Sequence, residues 1–122
     1  MVKRLLILDN DTDLLEVMQE VFVYEGFDVT TIPSTEDILT EINTHKPDVV
    51  MLDYILGGMT GGDICHEIKS NETTRDLPVI IVSAYPLASG SLGSFGCDGF
   101  IAKPFDITDL IEQVNTLLAK AI

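Results

Sequence analysis

Positive charge is what this sequence has least of. Seven Lys and Arg stand against twenty Asp and Glu, for a formal net charge of −13. A chain this acidic repels the phosphate backbone of DNA or RNA, whose binding rests on neutralisation by Lys and Arg, so direct nucleic-acid binding is not the expected role. Long apolar runs are also missing. After the charged start Met1-Val2-Lys3-Arg4, the run Leu5-Leu6-Ile7-Leu8 stops at Asp9, too short for the apolar region of a secretion signal or for a membrane span. The expectation is a cytoplasmic protein with no membrane role. Cysteine is scarce as well: Cys65 and Cys97 fit neither a CxxC pair nor a zinc-ligand spacing, and without a secretion signal they read as reduced core thiols. No linker, repeat or low-complexity tail interrupts the 122 residues, and 46% hydrophobic content is enough for the core of one domain, 1–122.

What the sequence does have is a recurring pattern of strand endings. Leu5-Leu6-Ile7-Leu8 runs into Asp9, Val49-Val50-Met51-Leu52 into Asp53, Val79-Ile80-Ile81-Val82 into Ser83, and Phe100-Ile101-Ala102 into Lys103. Short aliphatic runs alternating with longer stretches of helical period are the pattern of βαβ units and a parallel sheet covered on both faces. Five strands are expected, over about 4–9, 27–32, 48–53, 78–83 and 98–102. The carboxyl ends of strands in such a sheet lie along one edge. Two carboxylates, a hydroxyl and an ammonium therefore converge on one pocket.

Between the strands, Leu14, Leu15, Met18, Val21 and Phe22 recur at helical spacing, with Gly26 placed to end the helix in a left-handed turn. Ser34 with Asp37 reads as a capping box opening a second helix through Ile38, Leu39 and Ile42, and Pro47 closes that connection. Ile64, Cys65 and Ile68 mark a third helix. Asp106 opens a last one as its N-cap, with Asp109 in the first turn and Leu110, Ile111, Val114, Leu117 and Leu118 along its apolar face. A further helix belongs between Ser83 and the fifth strand. The residues there, Tyr85 to Gly96, include three Gly and three Ser; each interior Gly costs about 0.8–1.0 kcal/mol relative to Ala, so this fourth helix is expected to be short or irregular.

Taken in order, the segments Leu6-Ile7-Leu8-Asp9-Asn10-Asp11, Val50-Met51-Leu52-Asp53, Pro78-Val79-Ile80-Ile81-Val82-Ser83-Ala84 and Lys103-Pro104-Phe105 resemble the receiver domains of two-component response regulators. The resemblance extends over essentially the whole chain. It implies a flavodoxin-like, doubly wound (βα)5 fold, with a five-stranded parallel sheet in the order 2-1-3-4-5 and a cis Lys103-Pro104 bond. It also implies a single-domain phosphoacceptor switch, which takes a phosphoryl group from phosphohistidine on a sensor histidine kinase or histidine phosphotransfer protein and passes a signal to a downstream protein partner. Asp53 is the phosphoacceptor by that resemblance, since a carboxylate can attack phosphorus to give a labile aspartyl phosphate. Two carboxylates about 4 Å apart repel by roughly 4 kcal/mol at an effective dielectric of about 20. Mg²⁺ suits that need, as a hard ion taking carboxylates, waters and phosphate oxygens. The resemblance assigns it to Asp9, Asn10, Asp53 and the backbone carbonyl of Ile55. Ser83 and Lys103 would hold the phosphoryl oxygens, and Ser83 and Phe100 would form the switch.

Departures from the family pattern carry their own expectations. Asn10 stands where a second acid is usual; its carbonyl oxygen remains available to a metal but a full negative charge is lost, which weakens Mg²⁺ binding. Asp11 reads as a cap of the first helix. In the glycine-rich loop Gly57-Gly58-Met59-Thr60-Gly61-Gly62, Gly57 replaces a common Pro and loosens the segment; Ser83 replaces a common Thr, and Phe100 lacks the phenol of the usual Tyr. Asn10 and the weak fourth helix also admit a degenerate receiver that works as a phosphorylation-independent interaction module. From the enzyme class, Asp9-Asn10-Asp11-Thr12 looks like the opening of the haloacid-dehalogenase phosphatase motif, with Asp9 as nucleophile and Asp11 as general acid, but the later acidic pair that motif requires is absent.

Overall fold

The computed structural model describes residues 2–54, 60–83 and 97–120. Five strands, β1 (Arg4–Leu8), β2 (Asp28–Ile32), β3 (Val49–Asp53), β4 (Val79–Ser83) and β5 (Gly99–Ala102), alternate with α1 (Thr12–Tyr24), α2 (Ile38–His45) and α3 (Gly61–Ser70), and α4 (Ile107–Lys120) follows the last strand. Each strand lies within one residue of its expected bounds. The sheet is parallel throughout, in the order β2-β1-β3-β4-β5. The expected fourth helix falls in 84–96 and the Gly57 departure in 55–59, both outside the described residues. Two features expected from the family resemblance are present: this strand order, and the cis Lys103-Pro104 peptide.

Because side chains alternate along a strand, the apolar runs divide between two cores. Leu5, Ile7, Val49, Met51, Ile80, Val82 and Ile101 face α1 and α4, packing on Leu15, Met18, Phe22, Leu110, Val114 and Leu118. Leu6, Leu8, Val50, Leu52, Val79 and Ile81 face α2 and α3, on Ile38, Ile42, Ile64, Cys65 and Ile68. A fully buried side chain of this kind contributes about 1.5–3 kcal/mol. That is why strands with no polar face are stable only between two helical layers. Neither cysteine forms a disulfide; Cys65 is buried and Cys97 half-buried. Burial, followed by the neighbouring Cys97, pushes the Cys65 thiol up to about 12, so it stays protonated and inert, as a core thiol should.

Helix ends show where local chemistry departs from the sequence reading. Asp11 does cap α1, accepting from the Leu14 N–H at 3.2 Å. Asp106 caps α4, accepting from the Thr108 N–H at 2.8 Å. The second helix, however, does not open at Ser34. Asp37 is its N-cap, with one carboxylate oxygen accepting from the N–H groups of Leu39 and Thr40 and the other from the Thr40 hydroxyl. A carboxylate satisfies two first-turn donors where a serine hydroxyl satisfies one, and the Asp37 N–H is already committed to Thr35 Oγ1 at 3.1 Å. At the end of α1 the Phe27 N–H donates to the Phe22 carbonyl (2.9 Å) and the Gly26 N–H to that of Val23 (3.0 Å), the paired bonds of a Schellman turn. This spends the Phe27 N–H and delays β2 by one residue.

Gly26 sits at φ +95°, and a Cβ added there would meet nothing within 4 Å. The only penalty for a side chain is therefore backbone strain. Gly26→Ala is expected to destabilise the fold by about 1–2 kcal/mol without altering its core, measured as a lower urea midpoint at unchanged slope.

Candidate functional site at the carboxyl edge of the sheet

The register of the sheet builds the site. Leu8 pairs with Leu52, so Asp9 and Asp53 are the next residues on the two central strands. Ser83 ends β4 opposite Ala102, and the Lys103 N–H donates to the Ser83 carbonyl at 2.7 Å. Residues expected to converge from four strand ends thus do so. Asp9 and Ser83 are each 1% exposed and Asp53 7%, which leaves two carboxylates in need of a counter-charge. Lys103 supplies it: its Nζ lies 3.1 Å from Asp9 Oδ2 and 3.0 Å from Asp53 Oδ1, donating to both. The Asp11 N–H also donates to Asp9 Oδ1 at 2.9 Å, which fixes the orientation of that carboxylate. The Asp11 side chain is turned instead to the start of α1, so it is not available as the general acid of the phosphatase reading.

Burial raises the Asp53 carboxyl above its ordinary value of 3.8; Lys103 opposes this by its hydrogen bond and charge, the Asp9 carboxylate adds to it, and the net direction is upward. Burial works to discharge Lys103, but hydrogen bonds to Asp53 and Asp9, with their charges, outweigh it and hold the ammonium above the usual 10.5. The signs follow by linkage. The folded protein binds the Asp53 proton more tightly than the unfolded chain, so this group's contribution to stability falls as pH rises from 3.8 through its folded pKa. The Lys103 contribution is complete below 10.5 and is lost only above it, as pH passes the raised folded value.

Two hard oxygen donors held at one point fit a divalent cation of the Mg²⁺ type. Asp9 and Asp53 would hold it, and Asn10, exposed immediately after Asp9, adds a neutral carbonyl. Among the described residues there is no group of three or more His, Cys, Asp or Glu side chains that could hold a metal. Ile55 lies outside the described residues. Phe100 is half-buried in β5 and packs against the α2 and α3 core.

Sequence reasoning missed the entry into α3. Gly61 and Gly62, read as part of a glycine-rich loop, form the helix's first turn behind a capping box in which Thr60 Oγ1 accepts from the Asp63 N–H (3.0 Å) and Asp63 Oδ2 from the Thr60 N–H (3.2 Å). The Thr-x-x-acid spacing was the available signal.

Since Lys103 opposes the rise of the Asp53 pKa, Lys103→Met is expected to raise that pKa further. Carboxyl ¹³C NMR titration in the presence of a chelator measures it directly.

Comparison with known proteins agrees with this architecture. Residues 5–115 match the response regulator receiver domain family. The DNA-binding response regulator MtrA of Mycolicibacterium paratuberculosis is 32% identical over 122 residues, covering 98% of this chain and 53% of the relative. The chain spans about half the length of the curated relatives it matches. Among solved structures, the Thermotoga maritima response regulator TrrA in complex with Mg²⁺-BeF superposes with a TM-score of 0.84 at 28% identity, covering 95% of this chain and 99% of that one. The receiver domain of Francisella response regulator 1452 gives 0.88 at 26%, covering 98% and 99%. No helix among the described residues is long and apolar enough to cross a membrane. In sheet order, strand-end chemistry and family match alike, the chain belongs to the response regulator receiver domains of two-component systems, a signalling switch rather than a classical enzyme.

Proposed function

We propose that Asp53 is the phosphoacceptor of this receiver, taking its phosphoryl group from a phosphohistidine on a sensor histidine kinase or a histidine phosphotransfer protein. The observation that carries the reading is the single Lys103 ammonium shared by Asp9 and Asp53 at 3.1 and 3.0 Å. An Asp53 oxygen attacks phosphorus, the P–N bond to imidazole breaks, and the imidazole leaves with the bonding electron pair. Lys103 would follow the negative charge from the carboxylate onto the phosphoryl oxygens, and the Ser83 hydroxyl would donate a hydrogen bond to one of them. Bound Mg²⁺ would supply further neutralisation of the phosphoryl oxygens, held by Asp9, Asp53, Asn10 and the Ile55 carbonyl; the Mg²⁺-BeF complex of TrrA, a relative of the same fold, supports this. Ser83 and Phe100 are adjacent to the site on β4 and β5, which suits them to register its state for a downstream protein partner. A cytoplasmic location accords with this chemistry. The acidic surface of the chain argues against direct contact with nucleic acid.

The direct test is intact mass after incubation with acetyl phosphate and Mg²⁺. The expected result is a gain of one phosphoryl group in the wild type and none in Asp53→Asn; a label that persists in the variant refutes the assignment. The amide of Asn10 favours one second reading, a phosphorylation-independent interaction module, which requires that the wild type remain unlabelled by every phosphodonor.

Asn10 sets a further expectation. Asn10→Asp adds a metal-directed charge, so Mg²⁺ should bind about tenfold more tightly or better, roughly 1.4 kcal/mol. The metal-free protein should at the same time lose stability, because a third carboxylate joins Asp9 and Asp53. Mg²⁺ titration followed by NMR, with thermal unfolding in a chelator, reads both effects.

A further inference from the structure

The first turn of α3 rests on the backbone that carries Asp53. Gly61 is buried, and its N–H donates to the Tyr54 carbonyl at 2.7 Å. A Cβ built on Gly61 would overlap the Asp53 carbonyl oxygen and lie 3.0 Å from both the Asp53 carbonyl carbon and Tyr54 Cα. All three are backbone atoms, so no rotamer change relieves the contact. The helix has little freedom to retreat. Its start is set by the Thr60 and Asp63 capping box, its middle by Ile64, Cys65 and Ile68 in the core. Its far end is held by Lys69, which pairs with Asp98 at 2.6 Å and donates to the Leu77 carbonyl at 2.7 Å. On the other side the Tyr54 N–H is tied to the Val82 carbonyl at 2.8 Å. The peptide joining Asp53 to Tyr54 is therefore gripped between α3 and β4.

We infer that Gly61 is a positioning residue for Asp53: the missing side chain lets α3 press directly on the Asp53–Tyr54 peptide and so aims the Asp53 carboxylate at Lys103. A methyl group at position 61 has to be accommodated by moving that peptide, which turns the Asp53 Cα–Cβ direction and lengthens or breaks the 3.0 Å contact to Lys103. Errors of this kind near a reacting atom cost far more in rate than in stability. The kinetic consequence rests on Asp53 being the phosphoacceptor; the geometric one does not.

The test compares Gly61→Ala with Gly26→Ala, whose strain lies at the opposite edge of the sheet, at a temperature where both are folded. In metal-free protein, Gly61→Ala is expected to shift the Asp53 carboxyl and Lys103 ammonium NMR signals, while Gly26→Ala leaves both at their wild-type positions. Phosphorylation by acetyl phosphate with Mg²⁺ should slow at least about tenfold in Gly61→Ala and remain unchanged in Gly26→Ala. Wild-type NMR signals in Gly61→Ala overturn the inference whatever its stability, and so does an equal loss of rate in the two variants. An unlabelled wild type refutes the phosphoacceptor reading, and the NMR comparison alone then decides the role of Gly61. If Gly61→Ala does not fold, the double variant Thr60→Val, Asp63→Asn loosens the helix start without a clash. It is expected to broaden the Asp53 and Lys103 signals, and sharp wild-type signals there overturn the inference.

Discussion

One ammonium shared by two buried carboxylates is the interaction on which the rest of this structure turns. Asp9 and Asp53 end neighbouring central strands, where burial strips most of the hydration that would otherwise offset their charge. Lys103 lies 94 residues from one and 50 from the other, so the offset requires β1, β3, β4 and β5 to be assembled side by side. The site is thus a product of the fold rather than of any local motif. On the phosphoacceptor reading proposed above, the one carboxylate charge that Lys103 leaves unmatched is what a cation or a phosphoryl group would act on.

The strands were legible because burial on both faces demands uninterrupted aliphatic runs, and Leu5 to Leu8, Val49 to Leu52 and Val79 to Val82 have no other stable use in a chain of this size. The polar residues that stop those runs were legible for the same reason: Asp9, Asp53, Ser83 and Lys103 each stand where a strand leaves the core. Capping was readable where one short side chain had one first turn to serve, as with Asp11 and Asp106. It failed at α2, where Ser34, Thr35 and Asp37 compete and the outcome depends on which acceptor reaches two N–H groups at once.

The entry to α3, although Thr60 and Asp63 had the spacing of a capping box, was missed for a different reason. Local propensity counts two successive glycines against a helix by about 0.8–1.0 kcal/mol each, yet Gly61 and Gly62 are both helical and buried. What decides the matter at Gly61 is a tertiary approach, helix backbone against the backbone of Asp53 and Tyr54, and nothing in the neighbouring sequence announces it. The sharing of Lys103 by both acids belongs to the same class. Convergence of the strand ends was readable, but which donor meets which acceptor is fixed by side-chain reach across three strands.

The order in which these groups occur along the chain has a consequence for synthesis. A polypeptide made from its N-terminus completes β1, α1, β2, α2 and β3 before any residue beyond position 53 exists, and domains begin to organise while still being made. An early half-sheet would already place Asp9 beside Asp53, with the lysine that reconciles them fifty residues from being translated. Such a fragment carries the repulsion without the remedy, so the central strands gain from closing late. The residue that offsets part of this charge in the finished pocket is thus missing while the central strands are made, and its late arrival favours their closing with the last strand.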